Sequence, residues 1–138
     1  MSVTSDLQTF LLSKTAITNI VGTAGVYWMR APQGTDFPYI TFQEVSDVRE
    51  HDLAGQCGLV VASYQVDCWH KAGDVHALAE AVRTSIDGYT GTMTSTTVQY
   101  AKLTNRMEFA EPPEFGTEQT VDRIMLEIEM WVTESIPI

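Results

Sequence analysis

Cys68 and His70 stand two residues apart, and a thiol beside an imidazole is the smallest pairing here that could support nucleophilic catalysis or begin a zinc site. Their strand argues otherwise. Cys68 falls on the inward parity, as a core residue does, and neither His51 nor His76 stands at a ligand-like spacing from it. Glu127 and Glu129 share one strand face, and a carboxylate pair works as acid and base only where a cleft raises one pKa. On the polar face of the last strand they are solvated or turned toward a partner subunit. No Gly-x-Ser-x-Gly or Gly-x-Gly-x-x-Gly occurs, and Gly22-Thr23-Ala24-Gly25 lacks the Lys-Ser/Thr ending of a phosphate loop. The sequence therefore predicts no catalytic residue, no metal and no cofactor.

The elements that would position any site centre on Leu59–Ile86. In the strand Leu59–Trp69, Ala62, Tyr64, Val66 and Cys68 alternate with Ser63, Gln65, Asp67 and Trp69, the period-2 pattern of a half-buried strand. After it Val75, Leu78, Ala79, Val82 and Ile86 line one face of a helix, with Asp74 as its N-cap and Gly88 as its stop. Glu80 and Arg83 on the polar face are spaced to pair.

The chain has 138 residues, 44% of them hydrophobic, enough for one domain with its own core. No apolar run is long enough for a membrane helix and no signal peptide begins the chain, so a cytosolic, membrane-free protein is expected. Cys57 and Cys68 are the two cysteines, expected to be reduced and unbridged. Eighteen acidic residues against eight basic give a net charge of -10. That balance excludes a surface built to grip nucleic-acid phosphates, while letting a polyanion pass without sticking.

In chain order, a capping box at Ser5 and Gln8 opens a first helix over Asp6–Ile20. Short strands follow at Val26–Met29 and Pro38–Ser46, and the polar stretch from Asp47 to Gly58 reads as a protruding arm. After the central strand and helix, Asp87–Thr92 reads as a turn. Thr96–Phe109 is an irregular strand with a bulge near Ala101-Lys102, and Glu111–Glu118, with two prolines and three glutamates, must be an exposed loop. In the last strand Ile124, Leu126, Ile128, Met130 and Val132 alternate with Met125, Glu127, Glu129 and Trp131. The expected fold is α+β: a mainly antiparallel sheet of about five strands with two helices packed on it, in the order α-β-β-β-α-β-β. It forms a single domain, 1–138, with loops projecting near 47–58 and 111–120. Trp69 and Trp131 lie on the parity opposite the core, a face that either the first helix or another subunit must cover.

A series of short motifs runs through the chain: Val26-Tyr27-Trp28 with Arg30-Ala31-Pro32-Gln33-Gly34, Phe37-Pro38-Tyr39-Ile40, Arg49-Glu50-His51-Asp52-Leu53, Tyr64-Gln65-Val66-Asp67-Cys68-Trp69, Ala77-Leu78-Ala79-Glu80-Ala81-Val82-Arg83 and Ile86-Asp87-Gly88-Tyr89-Thr90-Gly91. In that order they resemble the tail-completion, or tail-terminator, proteins of long-tailed bacteriophages and prophages. Gene transfer agents use similar proteins. The resemblance implies a virion structural subunit, assembled in the host cytoplasm, that joins copies of itself in a hexameric ring at the head-proximal end of the tail. Such a ring caps the tube protein, stops its polymerisation, and offers a docking surface to a head-completion or neck protein. DNA passes through it without specific binding.

The same resemblance leaves a head-side neck adaptor or a minor tail protein as neighbouring readings. A small α+β enzyme or ligand-binding domain is the remote one, and would need a concave pocket with converging polar groups. Expected contacts with subunits or partners are Arg49, His51 and Asp52 on the arm, Glu111 and Phe115 on the acidic loop, and Trp69, Trp131, Glu127 and Glu129 on the outward strand faces.

Overall fold

A computed structural model describes residues 3–35, 37–52, 55–71, 75–111 and 121–133. The side chains at 50–52, 55–57, 71 and 111 fall outside that description. Among the described residues are three helices, α1 (Val3–Leu12), α2 (Thr15–Val21) and α3 (Val75–Ile86), and six strands. The strands are β1 (Val26–Trp28), β2 (Tyr39–Asp52), β3 (Gly55–Lys71), β4 (Gly91–Met93), β5 (Thr96–Glu111) and β6 (Val121–Thr133). They make one sheet in the order β1-β2-β3-β6-β5-β4.

The expected α+β architecture holds, with differences in detail. Six strands replace the expected five, and β1 runs parallel to β2, so the sheet is mixed while its other pairings are antiparallel. β1 and β4, three residues each, are too short for alternation to reveal their pairing. At the centre the strands and α3 bury the faces that their periodicity predicts. Ala62, Tyr64, Val66 and Cys68 of β3 and Ile124, Leu126, Ile128, Met130 and Val132 of β6 are buried together beneath Val75, Leu78, Ala79, Val82 and Ile86 of α3. Gly88 ends α3 at φ +82°, and its N–H donates to Ala101 O at 2.7 Å. Asp74 lies outside the described residues.

The single first helix expected over Asp6–Ile20 is two. Ser13 Oγ donates to Phe10 O at 2.6 Å, and Lys14 is extended at φ -91°, ψ 117°, so the chain turns before α2 begins. No capping box forms, because α1 already starts at Val3 and Gln8 Nε2 donates to Val26 O at 2.8 Å, tying the helix to β1. Leu7, Phe10 and Leu11 enter the core, and Asp6 goes in with them. Its Oδ2 accepts from Ser95 Oγ at 2.7 Å, from the Ser95 N–H, and from Thr96 Oγ1. Burial pulls the Asp6 pKa up, but these bonds to its charged form outweigh that and hold it below its usual value.

The arm is a continuation of the sheet rather than a loop. β2 and β3 stay paired as far as Asp52 opposite Gly55, with register shifts between Glu44 and Ser46 and between Arg49 and His51. Residues 53–54 at its tip are not described. β5 carries two irregularities, between Val98 and Tyr100 and between Leu103 and Asn105. They flank the bulge expected near Ala101-Lys102, and Ala101 itself packs in the core.

A candidate interaction surface

All three helices lie on the face of the sheet that carries Tyr64. The phenol donates to Glu44 Oε2 at 3.1 Å and accepts from Thr4 Oγ1 of α1 at 2.9 Å, since a carboxylate can only accept. Burial and the nearby Glu44 charge push the Tyr64 pKa up, so it stays a neutral donor. α1 therefore does not cover the tryptophan face. No described helix packs there.

That open face is built from strand register. Tyr39, Trp69, Arg123 and Phe109 lie side by side across four strands. Tyr39 stacks on Trp69 at 6.0 Å, and Phe37 stacks on Tyr39 at 5.1 Å. The Arg123 guanidinium sits between two rings, 5.2 Å from the Trp69 centroid and 4.2 Å from that of Phe109. Trp69 Nε1 donates to Thr41 Oγ1 at 3.0 Å. One step along, Asp67 accepts from Arg123 Nη1 at 3.1 Å and from Gln65 Nε2 at 3.0 Å, so both carboxylate oxygens are satisfied.

At the other end of the face Trp131 packs on Tyr100 at 5.8 Å. Lys102 Nζ lies 5.3 Å from the indole centroid and 4.0 Å from Glu129 Oε1. Two aromatic stripes thus bracket a polar middle in which Glu127 stands between Gln65 and Asn105.

The expected contact residues do not form one surface. Trp69, Trp131, Glu127 and Glu129 come together on the open face. Arg49 is on the helix side of the arm, 2.9 Å from Asp47, where it lines a hollow of about 350 Å³ with Thr4, Glu44, Ser95 and Thr96. For His51, Asp52 and Glu111 only the backbone is described, paired within the sheet. Phe115 lies outside the described residues. Arg123, Phe109 and Tyr39 escaped the sequence reading, although aligning Trp69 against Arg123 in opposed strands would have signalled the cation between rings.

Reaction chemistry finds no support in the hollow. Its Ser95 and Thr96 hydroxyls are turned onto the Asp6 carboxylate and the Thr4 hydroxyl onto Tyr64, an arrangement without the imidazole that activates a nucleophile. Among the described residues no cluster of three or more His, Cys, Asp or Glu could hold a metal, and no helix is long and apolar enough to cross a membrane. Cys68 is a buried free thiol. His76 lies on the solvent side of α3, where Arg106, which can only donate, approaches its Nδ1 at 3.0 Å. Arg106 also reaches Glu80, which Arg83 clasps as its spacing implied.

A search of curated proteins finds no matching sequence. Among solved structures, a chain from the virion of a native gene transfer agent particle superposes with a TM-score of 0.75 at 18% identity, covering 96% of each chain; at that identity the likeness is one of fold. The model of a phage family, tail completion protein gp17, matches residues 5–133. With nearly the whole described domain inside that match, the chain belongs to the tail completion protein gp17 family and is a structural component of a phage-type tail.

Proposed function

We propose that this chain is the subunit of a hexameric ring that closes the head-proximal end of the tail tube, halts tube growth and receives the neck of the filled head. The observation that carries the reading beyond family membership is the open sheet face. A sheet face with half-buried tryptophans that no described helix covers is suited to contact with other chains, since tryptophans anchor interface cores. Trp69, Trp131, Glu127 and Glu129 are the contact residues on that face, and the arm with Arg49, His51 and Asp52 and the loop with Glu111 and Phe115 reach further partners. The net charge of -10 suits a ring through which DNA slides without binding. The protein carries out no reaction in this role.

Deleting the gene from its phage or prophage and imaging the particles tests the reading. Tails of uncontrolled length, restored to uniform length by the wild-type chain and not by a Trp69→Ala, Glu111→Lys variant, are expected. Headless tails of normal length would assign the chain to the neck instead.

A further inference from the structure

We infer that the two open edges of the sheet pair with each other between neighbouring copies, the edge of β2 in one chain receiving the edge of β5 from the next. The inference rests on the ring-forming reading above and says which surfaces close the ring.

At one side of the sheet β1 covers β2 only along Ile40–Phe42, and no described strand flanks β2 beyond that point. At the other side β4 covers β5 along Thr96–Val98. The turn after α3 then occupies the next stretch: Gly88 N–H donates to Ala101 O, Ala101 N–H to Tyr89 O, and Leu103 N–H to Asp87 Oδ1. From Asn105 to Glu111 β5 runs in unbroken register with β6 on its inner side and has no described strand on its outer side. A regular strand edge left bare is a template for another strand.

Side chains at these edges agree. The exposed large apolar residues among those described are Trp28 and Met29 at β1, Val45 and Val48 on β2, and Tyr100 and Met107 on β5. None belongs to the central strands β3 and β6. Val48 and Met107, each about half exposed, stand on the same face of the sheet, since Val48 pairs with Val61, Val61 with Trp131, and Met107 with Met125.

Direction decides the occupant. Three antiparallel pairings separate β2 from β5, so the two strands run in opposite senses. Setting a second copy beside the first in the same orientation therefore brings β5 against β2 antiparallel, the favoured ladder. The contact joins unlike edges, so it repeats head to tail and closes when the rotation allows. The bare stretches are also offset: that of β2 lies toward its hairpin end and that of β5 toward the opposite end. Copies must then slide along the strands, the stagger that closing a sheet into a barrel requires. The register shifts in β2 leave a short regular run over Ser46–Arg49, so each ladder is brief and the contact is formed by many copies together.

The test uses the full chain with Cys57→Ser, keeping the buried Cys68, and adds Val48→Cys or Met107→Cys singly. Each variant is checked for a cooperative melt and treated with a short bis-maleimide, alone and as an equal mixture, while light scattering reports mass. A covalent dimer at least tenfold more abundant in the mixture than in either variant alone is expected, as is a ladder ending in a closed ring when both cysteines are in one chain. Cross-linking of a single variant with itself would overturn the inference in favour of a two-fold contact between like edges. Absence of the 48–107 product, with the protein assembled or still monomeric at the highest soluble concentration, would also overturn it. Tail capping is scored separately: capping without the 48–107 product sinks only the edge pairing, and the product without capping sinks only the terminator reading.

Discussion

Asp6 and Thr96 are 90 positions apart, and the hydroxyl of one donates to the fully buried carboxylate of the other. That bond, with the two from Ser95, fixes α1 against the start of β5. Asp6→Ala leaves the buried Thr96 hydroxyl without its acceptor and is expected to cost about 1–3 kcal/mol, measured by urea unfolding at pH 7. The pKa of Asp6 is lowered in the folded state, so its contribution is present above the unfolded carboxyl pKa and is lost as pH falls through the folded one. Wild type and Asp6→Asn are therefore expected to converge in stability below about pH 4. A gap that widens in acid would contradict this.

Substitutions at the two outward tryptophans allow folding and the proposed role in assembly to be measured apart. Trp69→Phe removes the bond to Thr41 while keeping an aromatic ring between Tyr39 and Arg123, and should lower chain stability by about 1 kcal/mol. Trp131→Ala removes a half-buried ring whose described ring contacts are Tyr100 and Lys102. It should cost the isolated chain about 1 kcal/mol or less, while sharply reducing the fraction of tube ends that carry the protein in electron micrographs. Equal losses of stability and capping in Trp131→Ala would make it a core residue after all.

Cys68 is fully buried, and burial followed by the adjacent Asp67 charge pushes its thiol pKa up. In a Cys57→Ser background the native protein is expected to leave Cys68 unmodified by a disulfide-exchange reagent at pH 8 and to yield one thiol per chain in denaturant. Rapid native labelling would place Cys68 near solvent.

Gly25 allows the tight passage from α2 into β1. A Cβ there would lie 2.2 Å from Val21 O and 2.6 Å from Val21 Cβ. Gly25→Ala is therefore expected to cost at least about 2 kcal/mol, whereas Gly88→Ala, with open space but φ +82°, should cost about 1 kcal/mol. Thermal melts of the two variants should rank in that order.

What the sequence revealed, and what it hid, follows from how each element is stabilised. β3, α3 and β6 bury one face against one another, and burial imposes a period that can be read directly. The arm was expected but its continuous strand pairing was not, because Ser46, Asp47 and Arg49 lie on exposed strand, where no face must be apolar. The parallel pairing of β1 leaves no local mark, since it is fixed by packing under α1. The break at Ser13 is a hydroxyl competing for a helix carbonyl, visible only in three dimensions. Asp6 reads as an ordinary acid at a helix start because its partners are distant in sequence. Of the surface, the two tryptophans were legible from parity, but the cation that rigidifies one of them required the pairing of strands more than fifty residues apart.

The strand order carries a consequence for synthesis. β6, which leaves the ribosome after every other described strand, is the one that fills the middle of the sheet, between β3 and β5. Until it arrives, the hairpin of β2 and β3 and the pair of β4 and β5 have no ladder joining them, and the contacts that close the sheet are long-range, the kind that slows folding. If neighbouring copies pair through those edges as inferred above, a nascent chain has no finished pair of edges to offer, and joining the ring waits until each subunit has been released whole.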